Sequence, residues 1–306
     1  MAEDEVDTVE IPADNGPLEI RPSVASSRVQ VDVKGMSHAG KVRANNEDHF
    51  LVARVDRTLQ TVETNLPPGE IPWHDRETAY GLVVADGMGG EAAGEIASRK
   101  AIAILVDLVL RTPDWIMLLD DERIRQVEQR MDLRFRLIHD ALNEQVRVNP
   151  SLFGMGTTMT LAVTLGADLL ITHVGDSRAY LFRKDKLTRL THDQTAVQEL
   201  IDAGVIPPEQ AATHPLRNRL TGAISTKLSV PKAALFSMTL EDGDWLVLCT
   251  DGLSDVVPEP IIADVLRQET EAVDACAVLV NQALSRGGKD NVTVVVARYH
   301  FLDKPA

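Results

Sequence analysis

The apolar run YGLVVA, residues 80–85, stops on a carboxylate, Asp86, and glycine fills three of the next four positions. The same arrangement recurs along the chain. Glu47 and Asp48, in NNED, stand just before a strand-like segment. Asp176 sits in the turn of HVGDSRAY, Asp251 ends the run WLVLCT, and Asp290 precedes NVTVVV. Asp beside Gly is a common turn pair, and turn chemistry accounts for any one of these acids. Acids at the ends of five hydrophobic strand patterns ask for more, because strands of one sheet end close together. Converging carboxylates resist ionisation unless cations lie between them. Hard oxygen donors suit Mg²⁺ or Mn²⁺, and a carboxylate-held metal pair can clamp a phosphate and activate a water. The glycines after Asp86 would let metal and substrate approach the backbone, with the Gly87 carbonyl as a further donor.

The elements that must position these acids are legible as periodicities. RVQVDVKGMS, from Arg28, alternates as a strand does, DHFLVARV continues with a second, and AYGLVVA reads as a strand buried on both faces. Residues 56–78 hold three prolines and many polar groups and predict a long surface loop or insertion. Residues 91–110, and a stretch from Asp120 through DERIRQVEQRMDLRFRLIHDALNEQVRV, predict two long helices. The segment GTTMTLAVTLGADLLITHVGDSRAYLF predicts an antiparallel meander with turns at GAD and GDS. A polar, partly helical stretch covers 192–229. A strand, an EDGD turn and a strand ending on Asp251 come next, then helices near 259–267 and 271–285, and a last strand in DNVTVVVARYH.

Composition narrows the function classes. The chain has 306 residues, 44% hydrophobic and 25% charged, the balance of a globular domain with a sizeable core. A formal net charge of -15 disfavours nucleic acid as a partner. The excess acid fits either solubility or cation binding, and composition alone does not choose. No apolar run reaches the roughly 20 residues a bilayer span needs, so no membrane partner is expected. Residues 1–26 carry seven acids, one arginine and three prolines and predict a disordered acidic arm. Cys249 and Cys276 form neither a disulfide framework nor a zinc spacing, which points to a reducing, cytoplasmic setting. The eight histidines show no metal-ligand spacing. The glycines of DGMGG lack the GK[ST] of a nucleotide loop. Trp73, Trp115 and Trp245 read as packing or loop anchors.

In order and spacing, VRANNED, VVADGMGG, GTTMTLAV, HVGDSRAYL, CTDGLSD and GGKDNVTVVV resemble the motifs of the PPM-type phosphatases, the metal-dependent protein serine/threonine phosphatases also called the protein phosphatase 2C family. DGMGG resembles the bacterial branch. The resemblance covers residues 28–300 and implies an α+β fold, a four-layer αββα sandwich of two antiparallel sheets flanked by helices, as one domain over 27–303. It implies two Mn²⁺ or Mg²⁺ ions and a weaker third. Carried over by position, Asp86 would bridge the two metals. The Gly87 carbonyl, with Glu47 and Asp48 partly through water, would complete one shell, and Asp251 and Asp290 would hold the other ion. Asp176 with Asp251 would hold the third. Arg43 would bind the substrate phosphate, for which a planar guanidinium is suited.

The activity implied by the resemblance is hydrolysis of phosphoserine and phosphothreonine in proteins by metal-activated water. The expected partners are phosphoproteins, including a serine/threonine kinase or its targets, with a monomer as the default. Two departures stand out. Met88 occupies the position where some members carry a histidine after Asp-Gly, which leaves the general acid unassigned. Within the flap segment 192–229, GAIS at 222–225 replaces the family's frequent RALG, so a flap arginine is missing. An inactive relative that binds phosphoproteins as a scaffold is the competing reading, and retention of Asp86, Asp251 and Asp290 argues against it. A third reading is a phosphatase for another substrate, such as an anti-sigma antagonist or a small phosphoester.

Overall fold

A computed structural model describes residues 25–90, 93–111 and 121–302. Most of the acidic arm, the expected helix start at Glu91, and Trp115 lie outside the described residues. The first elements are β1 (Val29–His38), β2 (His49–Gln60), β3 (His74–Ala85), β4 (Gly87–Met88), α1 (Ala93–Arg111) and α2 (Asp121–Val148). The middle holds β5 (Gly156–Thr157), β6 (Met159–Leu165), β7 (Asp168–Val174), β8 (Arg178–Arg183), β9 (Lys186–Arg189), α3 (Ala196–Asp202) and β10 (Ile224–Ser225). The last third holds β11 (Ala234–Thr239), β12 (Trp245–Cys249), α4 (Asp251–Ser254), α5 (Glu259–Gln268), α6 (Ala272–Ser285) and β13 (Val292–Phe301).

Two five-stranded antiparallel sheets form, in the orders β1-β13-β12-β8-β9 and β11-β7-β6-β3-β2. Their alternation shows why the strands read as unbroken apolar runs. On β13, Val292, Val294 and Val296 pack outward against α5 and α6, while Val295, Ala297 and Tyr299 face the layer between the sheets. On β3, Val83 and Ala85 pack outward against α1 and α2, while Leu82 and Val84 face inward. Both faces are buried, as in a sandwich covered by helices. Met131, Phe135, Ile138 and Leu142 give α2 its buried stripe at helical spacing. The result is the αββα sandwich that the motifs imply.

Two expectations are corrected. The loop predicted over 56–78 is in part a hairpin arm: β2 and β3 stay paired from His49↔Ala85 out to Gln60↔His74, which leaves residues 61–73 as loop. Polar strands of this kind can pair because the charges meet across them. Arg76 Nη2 donates to Asp56 at 2.7 Å, and Thr78 donates to Asp56 at 2.7 Å. The second correction concerns the meander. β6 and β7 belong to one sheet and β8 and β9 to the other, so GDS is no hairpin turn. There the chain crosses between sheets, which places Asp176 in the gap.

Candidate metal centre

Four kinds of connection bring the acids to one end of the sandwich. Residues 39–48 cross from β1 in one sheet to β2 in the other, carrying Arg43, Glu47 and Asp48. Residues 175–177 make the second crossing. Asp86 comes directly after β3, and its position continues the inward parity of Leu82 and Val84. Asp251 and Asp290 flank the ends of β12 and β13. A cleft of about 820 Å³ results, lined by Arg43, Glu47, Asp86, Gly87, Asp176, Asp251 and Asp290, among others.

Backbone approach explains the glycines. A Cβ on Gly87 would lie 2.6 Å from the Glu47 carbonyl oxygen and would also collide with the Gly94 carbonyl. The neighbourhood is closed further by Asp86, whose carbonyl accepts from Thr158 N and from Thr157 Oγ1, each at 2.9 Å. The Asp86 N–H donates to Thr158 Oγ1 at 3.0 Å, and that hydroxyl shares a 2.7 Å hydrogen bond with Ser177. Thus the Thr157 and Thr158 hydroxyls of GTTMT, to which the sequence reading gave no role, brace the backbone of Asp86, and the serine of GDSR supports Thr158 in turn.

Asn291 was not singled out from the sequence, though it stands beside Asp290. Its Nδ2 donates to the carbonyls of Ala39 (2.9 Å) and Asn45 (2.8 Å), and its Oδ1 accepts from Glu47 N at 2.8 Å. This one amide sets the path of the loop that carries Arg43 and Glu47. Arg43 Nη2 in turn donates to Asp290 Oδ2 at 2.7 Å.

The electrostatics distinguish these acids. By exposed area Asp86, Asp176 and Asp251 are only half-buried, because they open on the cleft. Protein surrounds them on every other side, and that packing governs their ionisation. Burial, then repulsion from Asp48, Asp251, Asp176 and Asp290, raises Asp86 well above the carboxylate range. Burial and then Asp251 push Asp176 up to about 8. Burial and then Asp255 and Asp290 push Asp251 up to about 6. Asp48 lies beneath the cleft floor, 4% exposed, where it accepts from Thr250 Oγ1 at 2.8 Å. Burial raises it to about 7, against the lowering hydrogen bonds of Thr250 and Thr293. The donor set is all oxygen, from several crowded carboxylates, which fits a hard divalent cation. Among the described residues no three acid, histidine or cysteine side chains enclose one point as an ion would need.

Other expectations find their places. Met88 lines the cleft. His214 Nδ1 accepts from Leu216 N at 3.2 Å within the flap segment, a hydrogen-bonding role. His173 is buried and held by Thr160 (2.9 Å) and the Gly175 carbonyl (3.0 Å); burial lowers it to about 4. Cys249 is a packed strand residue whose thiol burial pushes up to about 12. Gly222, where the family's flap arginine would stand, packs on Gln194 so closely that a Cβ would collide with its Oε1.

An αββα sandwich with an oxygen-donor cleft between its two sheets defines a class of metal-dependent proteins. The sequence model for protein phosphatase 2C matches residues 70–287. Serine/threonine protein phosphatase PstP of Mycobacterium tuberculosis (strain H37Rv) is 38% identical over 262 residues, covering 85% of this chain and 43% of PstP. The chain therefore spans under half the length of that relative. Serine/threonine phosphatase stp of Listeria welshimeri is 33% identical over 223 residues, 73% of this chain and 86% of the relative. The solved catalytic domain of PstP in complex with two manganese ions superposes with a TM-score of 0.68 at 36% identity, covering 89% of this chain and 99% of that domain. The chain belongs to the protein phosphatase 2C family. No helix among the described residues is long and apolar enough to cross a membrane.

Proposed function

We propose that the protein hydrolyses phosphoserine and phosphothreonine in protein substrates, using two Mn²⁺ or Mg²⁺ ions, and so opposes a serine/threonine kinase. The observation that carries this is the cluster of raised, oxygen-donor carboxylates with an arginine at its rim, on this family's fold. Asp86, Asp251 and Asp290, with Glu47, Asp48 and the Gly87 carbonyl, would hold the pair of ions; Asp176 with Asp251 would hold a third. Bound there, the ions supply Lewis acidity to the phosphoryl oxygens and to a water.

The chain's own residues do the rest. Arg43 turns from Asp290 to the substrate phosphate, a bidentate match for two of its oxygens. Asn291 keeps the Arg43 loop on its path, and Thr157, Thr158 and Ser177 keep Asp86 aimed inward. Met88 offers no proton, so the leaving alkoxide takes its proton from water in the cleft. The free, buried cysteines Cys249 and Cys276 fit action in the reducing cytoplasm.

The test is phosphate release from a phosphothreonine peptide by metal-stripped protein, titrated with Mn²⁺ and with Mg²⁺, beside Asp251→Asn. Release that requires metal and collapses in the variant supports the reading. Folded wild-type protein that binds the peptide but releases nothing at any metal concentration would replace it with the scaffold.

A further inference from the structure

One wall of the cleft carries a cation for which the metal chemistry has no use. Arg43 and Lys227 are the two cations among the cleft-lining residues, against five carboxylates. Arg43 is engaged by Asp290 at 2.7 Å. Lys227 makes no ion pair among the described residues. Its side chain is nonetheless placed. The stem runs over Gly154, where a Cβ would stand 2.5 Å from Lys227 Cε, and Gly154 has φ +93°, the left-handed region that favours glycine. The ammonium lies 5.6 Å from the centroid of the Phe153 ring, a cation–π distance. Phe153 is itself 62% exposed, a large apolar side chain next to the cleft-lining Gly154.

The backbone under Lys227 is tied to the metal site. β10 pairs with β5 (Ser225↔Gly156), and β5 pairs with β4 (Gly87↔Thr157). Thr226 N donates to the Met155 carbonyl at 3.1 Å, and Gly154 N donates to Thr226 Oγ1 at 3.0 Å. A three-stranded ribbon thus sets Lys227 and Gly87 on one frame. The ammonium keeps donors for an incoming acceptor. It lies beside the exposed Phe153, whereas the scissile phosphate is expected at Arg43 and the acids of the floor.

We infer that Lys227 and Phe153 form a rim subsite for an anionic side chain, a carboxylate or a second phosphate, flanking the phosphoresidue that is hydrolysed. The inference rests on the phosphoprotein phosphatase reading above and names the substrates that reading leaves open.

The test uses phosphothreonine peptides in which one flanking position, from three residues before to three after, is Ala, Glu, phosphothreonine or Lys. The quantity read is the ratio of kcat/KM for each charged peptide to its Ala counterpart, in wild type, Lys227→Arg and Lys227→Glu. At one or more positions the wild type should favour an anionic flank by about fivefold, the upper end for one partly exposed ion pair. Lys227→Arg should keep that preference, and Lys227→Glu should turn it towards Lys. A stronger gain for phosphothreonine than for Glu would identify the second phosphate as the ligand; equal gains would identify any anion. A wild-type ratio near one at every position overturns the inference. So does a preference that survives Lys227→Glu, which would leave Lys227 merely offsetting the cleft's own acids. Fluorescence anisotropy of the same peptides gives the comparison independently of turnover. The phosphatase reading fails separately, if no phosphopeptide is hydrolysed with either metal.

Discussion

The two ends of the sandwich hold carboxylates in opposite ways. At the far end, Asp244 is 1% exposed, and Arg183 grips both its oxygens, with Nε to Oδ1 at 2.8 Å. On the hairpin arm, Asp56 is held far below the usual carboxylate range by Arg76, Thr78 and Arg54. At the cleft end, Asp86, Asp176 and Asp251 face chiefly one another, and burial and mutual repulsion push them upward. Same residue type, same two sheets: the difference is whether the fold supplies the countercharge. Where arginine supplies it, the acid is structure. Where the fold withholds it, the acid stays crowded at a cost in stability, which is the state a proposed metal site needs.

The sharpest way to break this comparison is to neutralise one acid at each end. Asp86→Asn should lower kcat by roughly a thousandfold, the scale of several kcal/mol of lost charge stabilisation. The metal-stripped variant should nevertheless melt no lower than metal-stripped wild type, because a crowded carboxylate has gone. Asp56→Asn should do the reverse, lowering Tm with metal-saturated kcat within about twofold. A drop in metal-free Tm for Asp86→Asn would show that the cleft acids are not mutually destabilising.

The second contrast is with pH, in metal-stripped protein. Unfolded carboxylates titrate near 4, while the folded values of Asp251, Asp48 and Asp176 are about 6, 7 and 8. Across that window the folded state binds more protons than the unfolded, so stability falls as pH rises from about 4 to about 8. Denaturant melts between pH 5 and 8 should track that slope, and Mn²⁺ should flatten it. Asp56 has the opposite sign: its contribution is complete above about pH 4 and is lost only on acidification below that.

A smaller effect belongs to the braces. Asn291→Ala removes the hydrogen bonds made to the Glu47 N–H and to the carbonyls of Ala39 and Asn45, at a cost of about 1–3 kcal/mol. Because the loop carries Arg43, KM should rise more than kcat falls. An unchanged KM, measured with saturating metal, would remove Asn291 from the account of Arg43.

Much of the site is legible residue by residue. The acids Asp86, Asp176, Asp251 and Asp290 are visible as carboxylates at strand ends, since an apolar run that halts on an acid is a local pattern. The helices α5 and α6 are visible as apolar stripes. The hairpin arm escapes a reading of the sequence because its stability lies in cross-strand charges, and no window of one strand contains both partners. The sheet switch at GDS escapes it because a tight turn between strands looks alike whether the strands pair or part. Asn291 and Lys227 carry no signal of their own: each is an ordinary polar residue until distant backbone closes on it.

By itself, then, the sequence determined most of the elements, the hairpin arm excepted, because periodicity and turn chemistry act over a few residues, and it determined the stock of acids and the single family to which their order belongs. Only the tertiary structure decided that five carboxylates share one cleft with two cations, that Asp48 lies below the floor while Asp86 opens on it, and that Lys227 stands on the frame of Gly87. Those outcomes depend on which sheet each strand joins, and that choice is made by burial across the whole chain.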